Sequence, residues 1–275
     1  MSGRRRPLVA TLLLVALPCA ASQAQDAHKI GLVYEVSVAG LAGLRVEVDA
    51  RFDGVAYDVE SRAYKVGVLQ TLTSRYEGHT RAWGRLADAS IEPAGGALSV
   101  ITGEQKRNWR AWYEANGGLA EAHDPPWRPQ PNQRISVEQR SGSLDPLSAT
   151  LAVAVSGDHA CDRTMATLDG KRRIDVMLQR IGIETAAQSK VSRSTGPVLV
   201  CEARLRRIAG DFGESSRSSD QSEPPTKVWL ARLGSSPFRL PARLEAASGW
   251  GTVRGHLLTF NERRLTPSER TAMLR

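Results

Sequence analysis

The sequence predicts a mostly all-β protein: a curled antiparallel meander, a half-open barrel or β-spiral, with one short helix. Three observations predict it. Apolar and polar residues alternate with a period of two over Leu44–Phe52, where Leu44, Val46, Val48 and Ala50 oppose Arg45, Glu47, Asp49 and Arg51, the pattern of a strand with one buried face. Asp53-Gly54 and Asp169-Gly170 stand between such runs, and this dipeptide supplies the positive-φ positions of a tight hairpin. Helical signals gather in one place only, at 145–155.

In chain order, Ile30–Val38 (IGLVYEVSV) reads as a strand rich in β-branched and aromatic residues, and the small residues from Ala39 to Gly43 break it. Leu44–Phe52 and Val55–Val66 pair across Asp53-Gly54. Further strands are expected at Gln70–Tyr76, His79–Leu86, Ala97–Thr102 and Trp109–Glu114. The segment Asp124-Pro125-Pro126-Trp127-Arg128-Pro129-Gln130-Pro131 cannot be a central strand, because proline lacks the ladder donor. Asp145 then offers an N-cap, Pro146 suits the first helical position, and Leu147, Leu151 and Ala154 share a face, so a helix to Val155 is expected to lie on or plug the sheet. Strands resume at Cys161–Leu168, Arg172–Arg180, Glu184–Val191, Val198–Ile208, Val228–Leu233, Ala242–Ala247 and Gly251–Asn261. The expected organisation is one curled domain over 25–262, with a proline-rich loop at 124–131, a polar loop at 213–225 and a tail over 263–275 that frays.

Residues 1–24 have the three parts of a secretory signal. Arg4, Arg5 and Arg6 precede the apolar run Leu8–Leu17, and Ser22-Gln23-Ala24 supplies the small residues of a cleavage site. The run is about half the ~20 residues a membrane-spanning helix needs, so no anchor is expected after cleavage, and the working protein is expected in the periplasm. Cleavage takes the formal charge from +8 to +5 and leaves Cys161 and Cys201 of the three cysteines. An even pair in an oxidising compartment reads as a disulfide. Closing a loop of about 40 residues, it would contribute ~3–4 kcal/mol. The remaining charge is mixed along the chain, without a dense basic stripe interleaved with aromatics, which argues against a nucleic-acid partner.

Several of these residues occur in an order that resembles a family. Tyr34 and Val36 precede the small residues Gly40 to Gly43, and Asp145-Pro146-Leu147-Ser148-Ala149 follows. Then come Cys161, the run Asp169-Gly170-Lys171-Arg172-Arg173 with Ile174-Asp175-Val176, and Cys201. Gly210, Val228-Trp229-Leu230-Ala231 and Pro241-Ala242-Arg243 complete the set. Over roughly residues 30–260 the chain resembles the bacterial exported proteins grouped as the domain of unknown function 3108 family. The resemblance implies an architecture similar to curled, half-open sheets such as those of periplasmic lipoprotein carriers and β-spiral envelope-integrity proteins. It implies no reaction and no catalytic residues.

The residues themselves give no catalytic constellation. No Gly-x-Ser-x-Gly precedes a helix, and neither a phosphate-cradling glycine loop nor a His-Glu-x-x-His zinc motif occurs. The densest polar group, Asp158-His159-Ala160-Cys161-Asp162, offers His and carboxylate ligands for a metal, and a thiolate if Cys161 were free, but Cys161 is better used in a disulfide. The expectation is therefore a non-enzymatic protein without a cofactor. Lys171, Arg172 and Arg173 follow a hairpin turn and read either as an anionic headgroup contact or as a solvated hairpin end. Six tryptophans against four phenylalanines point to an aromatic-lined cleft for an apolar ligand, with Trp83, Trp109, Trp112, Trp229 and Trp250 as candidates, or else to core packing. The reading that unites these features is a cell-envelope protein binding a lipid, a lipoprotein chain or a peptide in a sheet cleft. The alternatives are a scaffold that pairs with an envelope protein through sheet edges, and an enzyme on envelope polymers. The oligomeric state is left open.

Overall fold

The computed structural model describes residues 27–115, 117–213 and 224–273. The expected signal segment, 1–24, lies outside them, as does most of the polar loop at 213–225. The strands are β1 (His28–Val38), β2 (Leu41–Phe52), β3 (Ala56–Lys65), β4 (Tyr76–Ala87), β5 (Ser90–Thr102), β6 (Gln105–Tyr113) and β7 (Leu119–Asp124), then β8 (Arg163–Leu168), β9 (Arg172–Glu184), β10 (Val198–Gly210), β11 (Thr226–Arg232), β12 (Arg239–Ser248) and β13 (Gly251–Arg264). They form one antiparallel sheet in the order β7-β6-β5-β4-β3-β2-β1-β13-β12-β11-β10-β9-β8. The first seven strands form one meander and the last six another. They join where β1 pairs with β13 from His28↔Arg264 to Val38↔Val253. The sheet is not closed by hydrogen bonds, since β7 and β8 are its two edges.

Curling brings those edges together. Trp109 of β6 is 1% exposed and lies on the β8–β9 turn, where a Cβ on Gly170 would come within 2.5 Å of the indole. Gly170 also has φ +85°, so this turn position favours glycine twice over. Trp109, Ala111, Ile135 and Leu168 form a buried cluster from both ends of the sheet and the segment between them. That segment includes the helix α2 (Val137–Arg140) and is bonded to each edge. The Gly142 N–H donates to the Gly117 carbonyl beside β7, and the Leu144 N–H to Ala166 of β8. Arg173 Nε donates to the Gln139 carbonyl at 2.9 Å, and the Arg140 guanidinium lies 3.3 Å from Glu121.

The helix α3 (Pro146–Val155) lies inside the curl, against β4, β5, β8 and β12. Asp145 caps it as expected: Oδ1 accepts from the Leu147 and Ser148 N–H groups at 3.0 and 2.9 Å. One core cluster packs Leu151 and Ala154 against β1–β4 and β10–β13, and a second packs Ala149, Ala152 and Val153 against Cys161, Leu199 and Cys201. Cys161 and Cys201 are bonded to each other and wholly buried, which fixes the chain just beyond α3 to β10.

Several expected boundaries shift, and β5 opens at Ser90 rather than at Ala97. Gln70–Tyr76 is not a strand: the helix α1 (Val68–Leu72) precedes β4, which opens at Tyr76. Glu184–Val191 is not one either. Beyond Glu184 the chain turns through α4 (Ala186–Ser189), because Thr185 and Gln188 make a capping box and Lys190 ends the turn in the left-handed region. The tail expected to fray from Arg263 instead continues β13 to Arg264 and forms α5 (Pro267–Met273), where Arg263 pairs with Glu269 at 2.6 Å. Leu119–Asp124 is a strand that the sequence reading did not anticipate.

Candidate ligand-binding chambers

Inward-facing residues of β1 and β2 are mostly mid-sized aliphatics, and they do not fill the space between the sheet and α3. A chamber of about 370 Å³ remains there. Val36, Val46 and Val48 form its half-buried outer wall, and Ile30 and Leu32 its buried depth. Phe52 and Phe238, with ring centroids 4.8 Å apart, make its floor, and His28 stacks against both. Leu147, Leu151 and Ala154 of α3 close the remaining side. Its polar lining is confined to Tyr34, Ser61, Thr80 and Thr150. Burial in this wall pushes the Tyr34 hydroxyl well above the ordinary tyrosine value, so it stays a neutral O–H.

A second chamber of about 480 Å³ lies on the other flank of α3. Its walls are Ala149 and Val153 of the helix, Met165 of β8, Val176 and Leu178 of β9, Ala203 and Leu205 of β10, and Leu230 of β11. Asp169 and Arg172 stand at its rim. The two chambers share Pro146, Thr150, Pro241 and Leu244, so α3 divides one lumen into two lobes that meet along its N-terminal half.

The helix is held by polar bonds at that same end. Asp145 is 1% exposed, and its Oδ2 accepts from the Tyr113 hydroxyl at 3.1 Å, while the Asp145 N–H donates to that hydroxyl at 2.6 Å. Tyr57 and Ser148 share a hydroxyl–hydroxyl bond of 3.3 Å, and a Cβ at Gly96 would come within 3.0 Å of Asp145 Oδ2. Burial raises the Asp145 carboxyl above its ordinary value, and bonds from Ser148, Tyr113 and Leu147 offset part of that rise. No cation pairs with it among the described residues, so helix N–H groups and one phenol carry the compensation.

The tryptophans expected in the cleft stand elsewhere; none of the five lines either chamber. Trp109 seals the seam, its Nε1 donating to Glu121 at 2.9 Å. Trp112, three residues on, faces outward as the pleat requires and is 43% exposed. Trp83 lies over Gly95 beneath the Arg81 guanidinium. Trp229 is buried, with its Nε1 on Glu184 and Arg243 over its ring. Trp250, 87% exposed, occupies the β12–β13 turn. The chamber aromatics are instead Tyr34, Phe52 and Phe238. Tyr34 and Phe52 are signalled by the period-two faces of β1 and β2, which mark buried positions but not a cavity wall, whereas Phe238 lies between β11 and β12 and carries no such signal.

The basic turn is divided as well. Arg173 is buried between Asp175, at 2.7 Å, and the Gln139 carbonyl. Arg172 is 47% exposed at the rim of the second chamber and held by Asp169. The Lys171 N–H donates to the same carboxylate. The polar group around Cys161 is likewise committed: Asp158 pairs with Arg239, Asp162 with Arg180, and the disulfide takes the thiol. Among the described residues no group of three or more His, Cys, Asp or Glu side chains could hold a metal ion, and no helix is long and apolar enough to cross a membrane.

Residues 32–258 match the family described as Protein of unknown function (DUF3108), and the chain belongs to that family. No curated protein matches it. Among solved structures, the Pseudomonas aeruginosa MucA/MucB complex aligns at 13% identity over 88% of this chain and 94% of that chain. The TM-score of 0.13 is too low to bear on fold or ligand.

Proposed function

We propose that this member of the DUF3108 family is a non-enzymatic, exported cell-envelope protein that holds an apolar or amphipathic ligand in the lumen of its curled sheet. The observation that carries the reading is the unfilled space beside α3. Protein interiors pack to the density of organic crystals, yet about 370 Å³ with almost wholly apolar walls remains between α3 and β1–β4. That volume falls within the range of small-molecule pockets. Each buried methylene of an acyl chain would contribute about 0.8 kcal/mol. Export is supported by the signal-like segment at the start of the sequence and by the cysteine pair, and a non-enzymatic role by the way ion pairs and a disulfide use up the densest polar cluster.

Pairing through sheet edges, the scaffold reading, is less well supported. Leu144 already bonds β8 at its edge, and the segment after β7 folds back over both edges. The test is native mass spectrometry and lipid titration on the mature chain, delipidated and then offered a fatty acid. Saturable binding that is lost when Val48 is enlarged to Phe is expected. A chain that binds no acyl ligand and instead carries a stoichiometric protein partner would overturn the reading.

A further inference from the structure

The two lobes are not equivalent, and how they meet says more than either does alone. They share Pro146, Thr150, Pro241 and Leu244, and of these Pro146 and Thr150 are exposed on the outward edge of α3. A molecule entering both lobes must therefore branch at that edge. The first chamber has no charged residue in its lining. The second has one ion pair, at its rim: Asp169 Oδ2 accepts from Arg172 Nε at 2.8 Å and also from Nη2, while Oδ1 accepts from the Lys171 and Arg172 N–H groups. These bonds fix the guanidinium by one side and leave Nη1 without a protein partner among the described residues. A guanidinium fixed in this way is a ready donor to a phosphate oxygen. The half-buried Val36 and Val46 of the first lobe and the Asp169–Arg172 rim of the second lie toward the same end of the sheet. Antiparallel order puts the β1–β2, β8–β9 and β12–β13 turns there, and Leu41 and Trp250 project from two of them as exposed apolar side chains.

We propose that the ligand is a glycerophospholipid whose two acyl chains straddle α3, one in each lobe, with the glycerol over Pro146 and Thr150 and the phosphate on Arg172. This rests on the lumen being a ligand site at all, and it adds the number of chains and the head. The two-lobed shape accounts for a helix that enters the sheet without filling it. An apolar mouth at the same end suits a ligand drawn from a bilayer surface, where exposed tryptophan is favoured.

Stoichiometry tests the proposal. Delipidated chain is titrated with palmitoyl-oleoyl phosphatidylethanolamine and with its single-chain lyso form, and complexes are counted by native mass spectrometry. One two-chain lipid or two lyso lipids per chain are expected. Val48→Phe in the first lobe and Ala203→Phe in the second should each remove one lyso lipid and weaken the two-chain lipid about tenfold or more, an effect of ~1.4 kcal/mol or above. Because Ala203 is buried, Arg172→Gln on the exposed turn provides a variant that does not disturb the core. It should weaken the phospholipid severalfold and leave diacylglycerol unchanged. A single lyso lipid per chain, with two-chain affinity unaffected by Ala203→Phe and Arg172→Gln, would overturn the straddled lipid while leaving the first chamber as a binding site. Failure of every acyl ligand to bind would overturn the underlying function instead.

Discussion

The seam around Trp109 and the wall formed by β1 and β2 are built from the same alternating strands, yet one is closely packed and the other borders an open cleft. At the seam a single indole spans the gap between the two ends of the sheet, resting on Gly170 with its N–H on Glu121. Along β1 and β2 the inward positions are Val36, Val46 and Val48, which reach only part of the way to α3. The difference lies in side-chain size and in what covers the strands. Residues 125–144 fold down over the seam, whereas the wall faces the Leu147–Leu151–Ala154 edge of the helix across the cleft. A curled sheet is thus stapled at one place and left empty at another.

The largest expected effect is at the staple. Trp109→Ala should cost ~3–5 kcal/mol, the range for deleting a buried aromatic, read as a lower denaturant midpoint. A cost below ~1 kcal/mol would mean that the edges are not held by the indole. Removing the Cys161–Cys201 bond by a double alanine substitution should cost ~3–4 kcal/mol by loop entropy. An unchanged melting temperature, with both thiols open to labelling in the wild type, would contradict the pairing. Tyr113→Phe leaves the Asp145 carboxyl and its backbone N–H each short of a hydrogen bond in a buried site and should cost ~1–3 kcal/mol. Thermal unfolding would measure it, and a neutral result would detach α3 from that network.

Asp145 also sets a pH dependence with a definite sign. Because burial raises its folded pKa, its proton favours the folded state. That contribution is complete below the ordinary aspartate value of about 3.9 and is lost as pH rises through the raised one. Glu121, Glu245 and Asp175, buried enough that desolvation alone would raise them, are held below their ordinary values by their partners. Their contributions run the other way, present above the ordinary carboxylate range and lost as pH falls. The difference in stability between wild type and Asp145→Asn isolates the first effect: it should be most favourable to wild type in acid and decline as pH rises. The smallest effect belongs to the open wall. Val46→Ala, in a wall already facing empty space, should cost under ~1 kcal/mol by urea unfolding, because it creates little new cavity. A cost matching that of Trp109→Ala would erase the contrast between the two regions.

Much of the fold was legible along the chain. The alternation over Leu44–Phe52, the Asp53-Gly54 and Asp169-Gly170 turns, the capped helix at Asp145–Val155 and the cysteine pair all act through a few neighbouring residues or through chain parity, and each is found where expected. Gln70–Tyr76 and Glu184–Val191 are not strands, and such short, mostly polar segments carry too few periods to separate a strand from a turn of helix. The tryptophans misled for another reason. Their number signals aromatic surface, but only the pleat and the neighbouring strand decide that Trp229 turns to Glu184 while Trp250 points into solvent.

The sequence by itself determined most of the strands, the alternation over Leu44–Phe52, the helix with its cap, and the cysteines available to pair, because those properties are set by local periodicity and turn chemistry. Only the tertiary structure decided where the sheet curls shut and where it stays hollow. A chamber is the space left between residues far apart in the chain, Val48 and Leu151 or Ala149 and Val176, and no local pattern encodes a space between two surfaces.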